Sequence, residues 1–265
     1  MDKPSIDFFS STVDGSIARF YSSLGLDRVN NLAPDFTQYG LRALLSVKYV
    51  VALNDTGLPL VSYGDCNELP SLKLYKVQGD YNIYENEDYI PIGFTFDHYV
   101  SQQQFDTVSA GSRHLTLLKA VVLDQQQVKK YSGLMTVIPA SQLNDLSQTA
   151  YHADVAARQA ETGYYFDRNN SGFTSKIKLG KDNLVFFSVP YDKGWSATVN
   201  GKPAAVENVD SGFMAVEGKA GENTIDFTYR PQGLKTGVIV TALSVLVLLL
   251  YLLTTALLKR KRPKR

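Results

Sequence analysis

From Thr236 to Leu258 the chain runs for 23 residues without a charge, TGVIVTALSVLVLLLYLLTTALL. A helix rises 1.5 Å per residue, so this stretch would be roughly 35 Å long, enough to cross a hydrocarbon core of about 30 Å. Core helices of water-soluble domains are seldom so long or so evenly apolar, and residues 236–258 are therefore predicted to span a membrane. The seven residues that follow, KRKRPKR, include Lys259, Arg260, Lys261, Arg262, Lys264 and Arg265. Short basic flanks stay on the cytoplasmic side, which predicts a cytoplasmic tail at 259–265 and an extracellular position for residues 1–235.

That orientation constrains what lies upstream. The N-terminal MDKPSIDFFS has no basic region followed by an apolar run, so it does not read as a secretory signal. No other segment before Thr236 is apolar enough to span. The expectation is that these residues form the C-terminal part of a longer, multi-span protein whose earlier helices supply export. The alternative, a tail-anchored protein with its domain in the cytoplasm, sits badly with the basic tail.

The chain has 27 basic and 26 acidic residues. Six of the basic ones are in the tail, which leaves 21 against 26 and a net charge of −5 for the rest. A mildly acidic ectodomain lacks the basic face that nucleic-acid binding needs, and only the tail is expected to be drawn to anionic headgroups. The single cysteine, Cys66, lies in a polar stretch (YGDCNELP) and has no partner for an internal disulfide, so the ectodomain must be held by core burial. Disulfide-free ectodomains of this size fit many Gram-positive surface proteins.

Periodicity divides the remainder. Asp14–Leu24 places Ile17, Phe20 and Leu24 on one helical face, and Phe36–Leu45 continues in a helical manner. Val47–Leu53 reads as a buried strand; Ser71–Val77 and Tyr81–Glu85 alternate as strands joined by Gln78-Gly79-Asp80, and Phe94–Phe96 is extended. His114–Asp124 reads equally as a helix or a buried strand, and Asn144–Thr162 as a loop or exposed helix. From Gly172 the alternation is clean. Phe173, Ile177 and Leu179 form one strand face, and LVFFSV (Leu184–Val189) is a buried strand ended by Pro190. Trp195, Ala197 and Val199 precede the hairpin turn Asn200-Gly201; Phe213–Val216 follows, and Ile225, Phe227 and Tyr229 alternate with polar residues. The predicted class is α+β. A mixed α/β unit (1–110) is followed by an antiparallel β-sandwich (111–232), the transmembrane helix (236–258) and the basic tail (259–265). Arg230-Pro231-Gln232-Gly233 reads as a tight turn that seats the sandwich directly on the bilayer.

Chemistry is sparse. The sequence has no nucleophile elbow, HExxH, paired CxxC, P-loop or GxGxxG pattern. Its histidines, His98, His114 and His152, are far apart. Asp97-His98-Tyr99 reads as a solvated turn at a strand end, and Glu85, Glu87 and Asp88 as an acidic loop rim. Lys48 is expected to snorkel or to pair with a carboxylate. No catalytic, cofactor-binding or metal-ligating residue is assigned. Among 16 tyrosines and one tryptophan, Tyr191 and Trp195 are the candidates for stacking on a sugar ring, although Trp195 is expected mainly to fill the core near its turn.

Val189-Pro190-Tyr191-Asp192-Lys193-Gly194-Trp195, followed by Val199-Asn200-Gly201-Lys202, resembles a signature near the end of the YfhO family of bacterial membrane proteins. Tyr39–Val50, with its VKYV ending, resembles another segment of that family. So do Ile83-Tyr84-Glu85-Asn86 with Pro91-Ile92-Gly93-Phe94, and the closing strand Gly221–Tyr229 with Gly233, the span and the basic tail. Within the motifs the residues have architectural roles: Pro190 ends a strand, Gly194 permits a sharp turn, and Trp195 begins the next strand.

The resemblance implies more than these residues hold. The family is similar to GT-C glycosyltransferases, which have many transmembrane helices and use a lipid-phosphate-linked sugar donor on the outer face. Members are linked to adding sugars to envelope polymers such as lipoteichoic acid. The acidic catalytic residue of that fold lies in an early external loop, and no such position falls here. The expected partners are the membrane, a cell-envelope polymer or lipid-linked sugar, and the remaining membrane half of a parent protein, with no nucleic acid. The alternative is a non-enzymatic, membrane-anchored surface module that binds glycans or a partner protein.

Overall fold

The computed structural model describes residues 14–26, 38–53 and 71–260. Phe36, Cys66 and tail residues 261–265 lie outside that set. Two antiparallel sheets form the sandwich. Four strands run in the order β13 (Glu207–Val209), β14 (Phe213–Gly218), β10 (Asn183–Pro190) and β4 (Phe94–Thr95). Five run in the order β12 (Lys202–Ala204), β11 (Trp195–Val199), β15 (Gly221–Tyr229), β9 (Gly172–Leu179) and β8 (Tyr165–Asn169).

The four-stranded sheet is buried on both faces. Val185 and Phe187 of β10, with Met214 and Val216 of β14, join Phe173, Ile177, Ile225 and Phe227 in the core between the sheets. Their neighbours Leu184, Phe186, Phe213 and Ala215 point the other way, into a larger core. Strand side chains alternate between faces, so a strand covered on both sides must be apolar throughout, and LVFF and FMAV satisfy that requirement. The five-stranded sheet covers one face only. Along β9 the inward Phe173, Ser175, Ile177 and Leu179 are buried while Lys178 is exposed.

A helical layer lies against the second face of the four-stranded sheet. It holds α1 (Gly15–Ser23), α2 (Tyr39–Leu44), α3 (Gln102–Thr107), α4 (Arg113–Lys119), α5 (Gln125–Tyr131), α6 (Ala140–Leu143) and α7 (Gln148–Ala160). Within it, β5 (His98–Ser101) is flanked by β6 (Val121–Leu123) and β7 (Thr136–Val137), all parallel. The larger core draws on Phe20, Leu41, Phe94 and Phe105 as well as Leu118, Val155, Phe186 and Phe213, that is, on residues both before and after position 110.

Several local expectations need correction. His114–Asp124 is neither one helix nor one strand: α4 ends at Lys119, Ala120 is extended (φ −152°, ψ 144°), and β6 begins at Val121. Asn144–Thr162 contains α7, which is not an exposed helix. Tyr151, Val155 and Arg158 lie four and three residues apart, share a face and are buried. The Arg158 guanidinium sits 4.8 Å over the Phe96 ring and 3.6 Å from the Asp97 carboxylate. Burial pulls its pKa down, against the opposing charges of Asp97, Asp154 and Glu161.

The stretch Val47–Leu53 is not a buried strand either. It contains β1 (Tyr49–Leu53), an edge strand paired with β3 (Tyr81–Asn86), which pairs in turn with β2 (Leu72–Gln78). This small sheet has its own core of Val47, Val50, Leu72 and Tyr84, and its other face leaves Tyr49, Val51, Tyr75 and Tyr81 exposed. Lys48 precedes β1 and is exposed. Its ammonium lies 5.3 Å from the Tyr49 ring centroid and 5.9 Å from that of Tyr89, with no carboxylate partner among the described residues.

The last element, α8 (Leu234–Arg260), contains the apolar stretch Leu234–Leu257, which is long enough to cross a membrane. None of that stretch is buried against the rest of the protein.

Candidate functional site at the membrane junction

The PYDKGW segment forms the end of the sandwich nearest α8. Between β10 and β11 the chain turns through Asp192, whose Oδ1 accepts from the Gly194 N–H (2.7 Å) and whose carbonyl accepts from the Trp195 N–H (3.1 Å). An aspartate that captures the backbone two residues on is a standard way to fix such a turn. Gly194 is required by close approach, not by a left-handed conformation. A Cβ there would stand 2.5 Å from the Arg230 carbonyl oxygen, and the Gly194 carbonyl itself accepts from the Arg230 N–H (2.9 Å). The turn is thereby strapped to the segment that enters the membrane.

Trp195 pairs in register with Tyr229, their ring centroids 5.0 Å apart. It also meets Phe173 and Phe227 edge-on at 5.7 and 6.1 Å. Its ring is half-buried and closes the mouth of the inter-sheet core rather than sitting inside it. Tyr191 is likewise half-buried against this core, and its N–H donates to the Gly212 carbonyl (2.8 Å). The Tyr229 phenol is held above its ordinary range by partial desolvation, then by the charge of Asp192 and a hydrogen bond to it.

Between this turn and the start of α8 lies an open cleft of about 330 Å³, lined by residues 193–196 and 230–236. Its charged residues are all cationic: Lys193, Arg230 and Lys235. All three are exposed, and their side chains make no ion pair or hydrogen bond with a described residue. The sequence reading missed this group. Lys193 is separated from the other two by more than thirty residues, and only the long-range pairing of β11 with β15 brings them together.

The other candidates are scattered and structural. His98 is not in a turn: it opens β5, and its Nδ1 lies 2.9 Å from Thr136 Oγ1 of β7. Asp97 is pushed up by burial, but Lys181, Arg158 and His98 outweigh that and hold it below the usual carboxylate range. His114 is buried, and its Nδ1 accepts from the Gly40 N–H (3.2 Å) where α2 crosses α4. Of the three acidic residues read as a rim, Glu87 is exposed and Glu85 half-buried, but Asp88 is buried, with His152 Nδ1 3.3 Å away. Burial, then Asp88, raise the pKa of the neighbouring Tyr151. Among the described residues no three His, Cys, Asp or Glu side chains come together as a metal site.

The family model described as "Bacterial membrane protein YfhO" matches residues 2–163 and 137–241. The "Uncharacterized protein YfhO" of Bacillus subtilis (strain 168) is 32% identical over 95 residues, which is 36% of this chain. The matched stretch spans 10% of that relative's length. No solved structure matches the chain. With the family model covering most of its residues, the chain belongs to the YfhO family of bacterial membrane proteins.

Proposed function

We propose that this chain is the outward-facing C-terminal region of a polytopic membrane protein that transfers a sugar from a lipid-linked donor to an envelope polymer of the lipoteichoic-acid type. In this reading the chemistry resides in membrane helices outside these residues. The sandwich holds the acceptor or covers the active site, with Tyr191 and Trp195 offering aromatic surface to a sugar ring. The observation that carries the proposal is the position of those two residues. Both close the end of the sandwich that is joined to α8 by Arg230–Gly233, so any glycan held there is held at the bilayer surface, where a lipid-linked donor must be used. Family membership supports the membrane setting.

The test is transfer of labelled sugar from lipid-linked donor to lipoteichoic acid in membranes of source cells with and without the gene. Loss on deletion, restoration by the full-length gene and a reduced rate with Trp195→Ala support the proposal. Equal incorporation with and without the gene overturns it. Orientation is tested separately with Asn200→Cys in a Cys66→Ser background. Labelling of intact cells by a membrane-impermeant maleimide places the sandwich outside, and labelling only after lysis places it inside.

A second reading, a non-enzymatic surface module, is favoured by the exposed Tyr49, Val51, Tyr75 and Tyr81 on the small sheet, which share their face with Lys73, Lys76 and Glu85, since exposed aromatic side chains grouped in this way mark an interaction surface. Under that reading sugar incorporation is unchanged by deletion, and Val51→Asp abolishes co-purification of a membrane partner.

A further inference from the structure

We infer that the cleft at the membrane junction is a clamp for the phosphate of anionic phospholipid headgroups, with Lys193, Arg230 and Lys235 as its cationic ligands. This assignment is independent of the glycosyl-transfer reading and of which side of the membrane the sandwich occupies. Chain connectivity sets the depth of the cleft. β15 ends at Tyr229 and the apolar helix starts at Leu234, so only four residues separate the sheet from the hydrocarbon. Those residues reach at most about 14 Å. The chain is not fully extended there, because the Leu234 N–H bonds back to the Pro231 carbonyl and the Gly237 N–H to the Gly233 carbonyl. The polar layer on each side of a bilayer core is roughly 5–8 Å thick. Arg230, at the head of this link, and Lys235, just past its end, therefore lie at phosphate level, and the strap between Gly194 and Arg230 brings Lys193 to the same height.

Charge and environment agree with depth. No acidic residue lines the cleft; the Asp192 carboxylate stands beside it, engaged by the Gly194 N–H and Tyr229, and the three cations make no ion pair with a described residue. They form a local positive group in a body whose charge is −5 without the tail, so the tail is not the sole attraction to anionic lipid. Beside them Trp195 and Tyr229 are an indole and a phenol at the height where such amphipathic rings favour the membrane–water interface. Each basic side chain near an anionic surface gains on the order of fivefold in affinity. Removing all three should therefore weaken binding roughly a hundredfold.

Trp195 is the only tryptophan in the chain and lines the cleft, so its fluorescence reports directly on occupancy. The full chain in neutral detergent micelles would be titrated with short-chain phosphatidylglycerol, with phosphatidylcholine as control. The inference predicts a saturable, salt-sensitive change with the anionic lipid alone. It also predicts an approximately hundredfold weaker response for K193A/R230A/K235A, and recovery in K193R/R230K/K235R, which retains the charges. Thermal unfolding of the triple alanine variant checks that the fold survives. If that variant does not fold, the single variants R230A and K235A, each expected to weaken binding about fivefold, replace it. A response equal for both lipids, no response, or an unchanged response in the variants overturns the clamp. So does tighter, saturable binding of soluble poly(glycerol phosphate) than of lipid, which would make the cleft a polymer site.

Discussion

The two sheets of the sandwich face each other across one core and differ in what covers their far sides. The four-stranded sheet has the helical layer behind it, and β10 and β14 are apolar at nearly every position. The five-stranded sheet has solvent behind it, and Thr174, Lys176 and Lys178 of β9, Asp226 of β15 and Thr198 of β11 interrupt its apolar side chains. Thr174 Oγ1 donates to Asp226 Oδ1 across two of these strands (2.6 Å), a polar pair that the solvated face tolerates and a buried face would not. Whether a strand alternates or runs continuously apolar thus reports how many layers the protein has.

That comparison can be broken by substitution in the full chain, with unfolding followed in detergent micelles. Phe186 is 1% exposed and lies on the far side of the four-stranded sheet among Phe94, Phe96 and Phe213. Phe186→Ala should cost about 3–5 kcal/mol by leaving a cavity. A cost below about 1 kcal/mol would mean that this face is not packed. Gly172→Ala probes the join between β9 and β15, where a Cβ would collide with the Phe227 carbonyl oxygen, and about 1–3 kcal/mol should be lost as the strands shift.

Asp210 gives the buried sheet a pH signature. It is fully buried in the turn between β13 and β14, and burial raises its carboxyl to about 8 against the opposing hydrogen bond from the Val122 N–H. The folded protein therefore keeps a proton that the unfolded chain releases near its ordinary value of 3.8. This contribution to stability is complete below about pH 4 and is lost as pH rises to about 8. Asp210→Asn keeps an acceptor for Val122 and cannot ionise. Its stability relative to the parent should rise with pH by at most about 1.4 kcal/mol per unit across that window. Parallel pH curves for the two proteins would refute an ionisable role. The smallest effect belongs to the solvated face, where Thr198→Val should change stability by no more than about 0.5 kcal/mol.

The same contrast explains what was legible in the sequence. The five-stranded sheet was largely readable because one wet face produces strict alternation, and Asn200-Gly201, both with positive φ (51° and 75°), marked its hairpin. The span was readable from length alone. β5, β6 and β7 were not, because strands of two to four residues carry no period. Strand β8, with Tyr165 and Phe166 exposed, lacks an apolar face to betray it. Helix α7 was half-visible, since two of its three buried residues are Tyr151 and Arg158. Two helix starts were missed although their signal was present. Ser101-Gln-Gln-Gln104 and Asp124-Gln-Gln-Gln127 are both capping boxes, with the glutamine reaching back to the cap N–H. Of the junction, the sequence singled out Trp195 and Tyr191 but not the in-register pairing of Trp195 with Tyr229. Nor was the cationic cleft legible, because it depends on strand register.

The four-residue link has a mechanical consequence. A flexible stalk would let the sandwich swivel independently of its anchor. Here β15, nine residues long, passes into a 27-residue helix through Arg230–Gly233, and the turn at Gly194 is tied to the first of these by a backbone hydrogen bond. A link this short narrows the range of angles that sandwich and helix can take to each other, and residues inserted at Arg230–Gly233 would widen it.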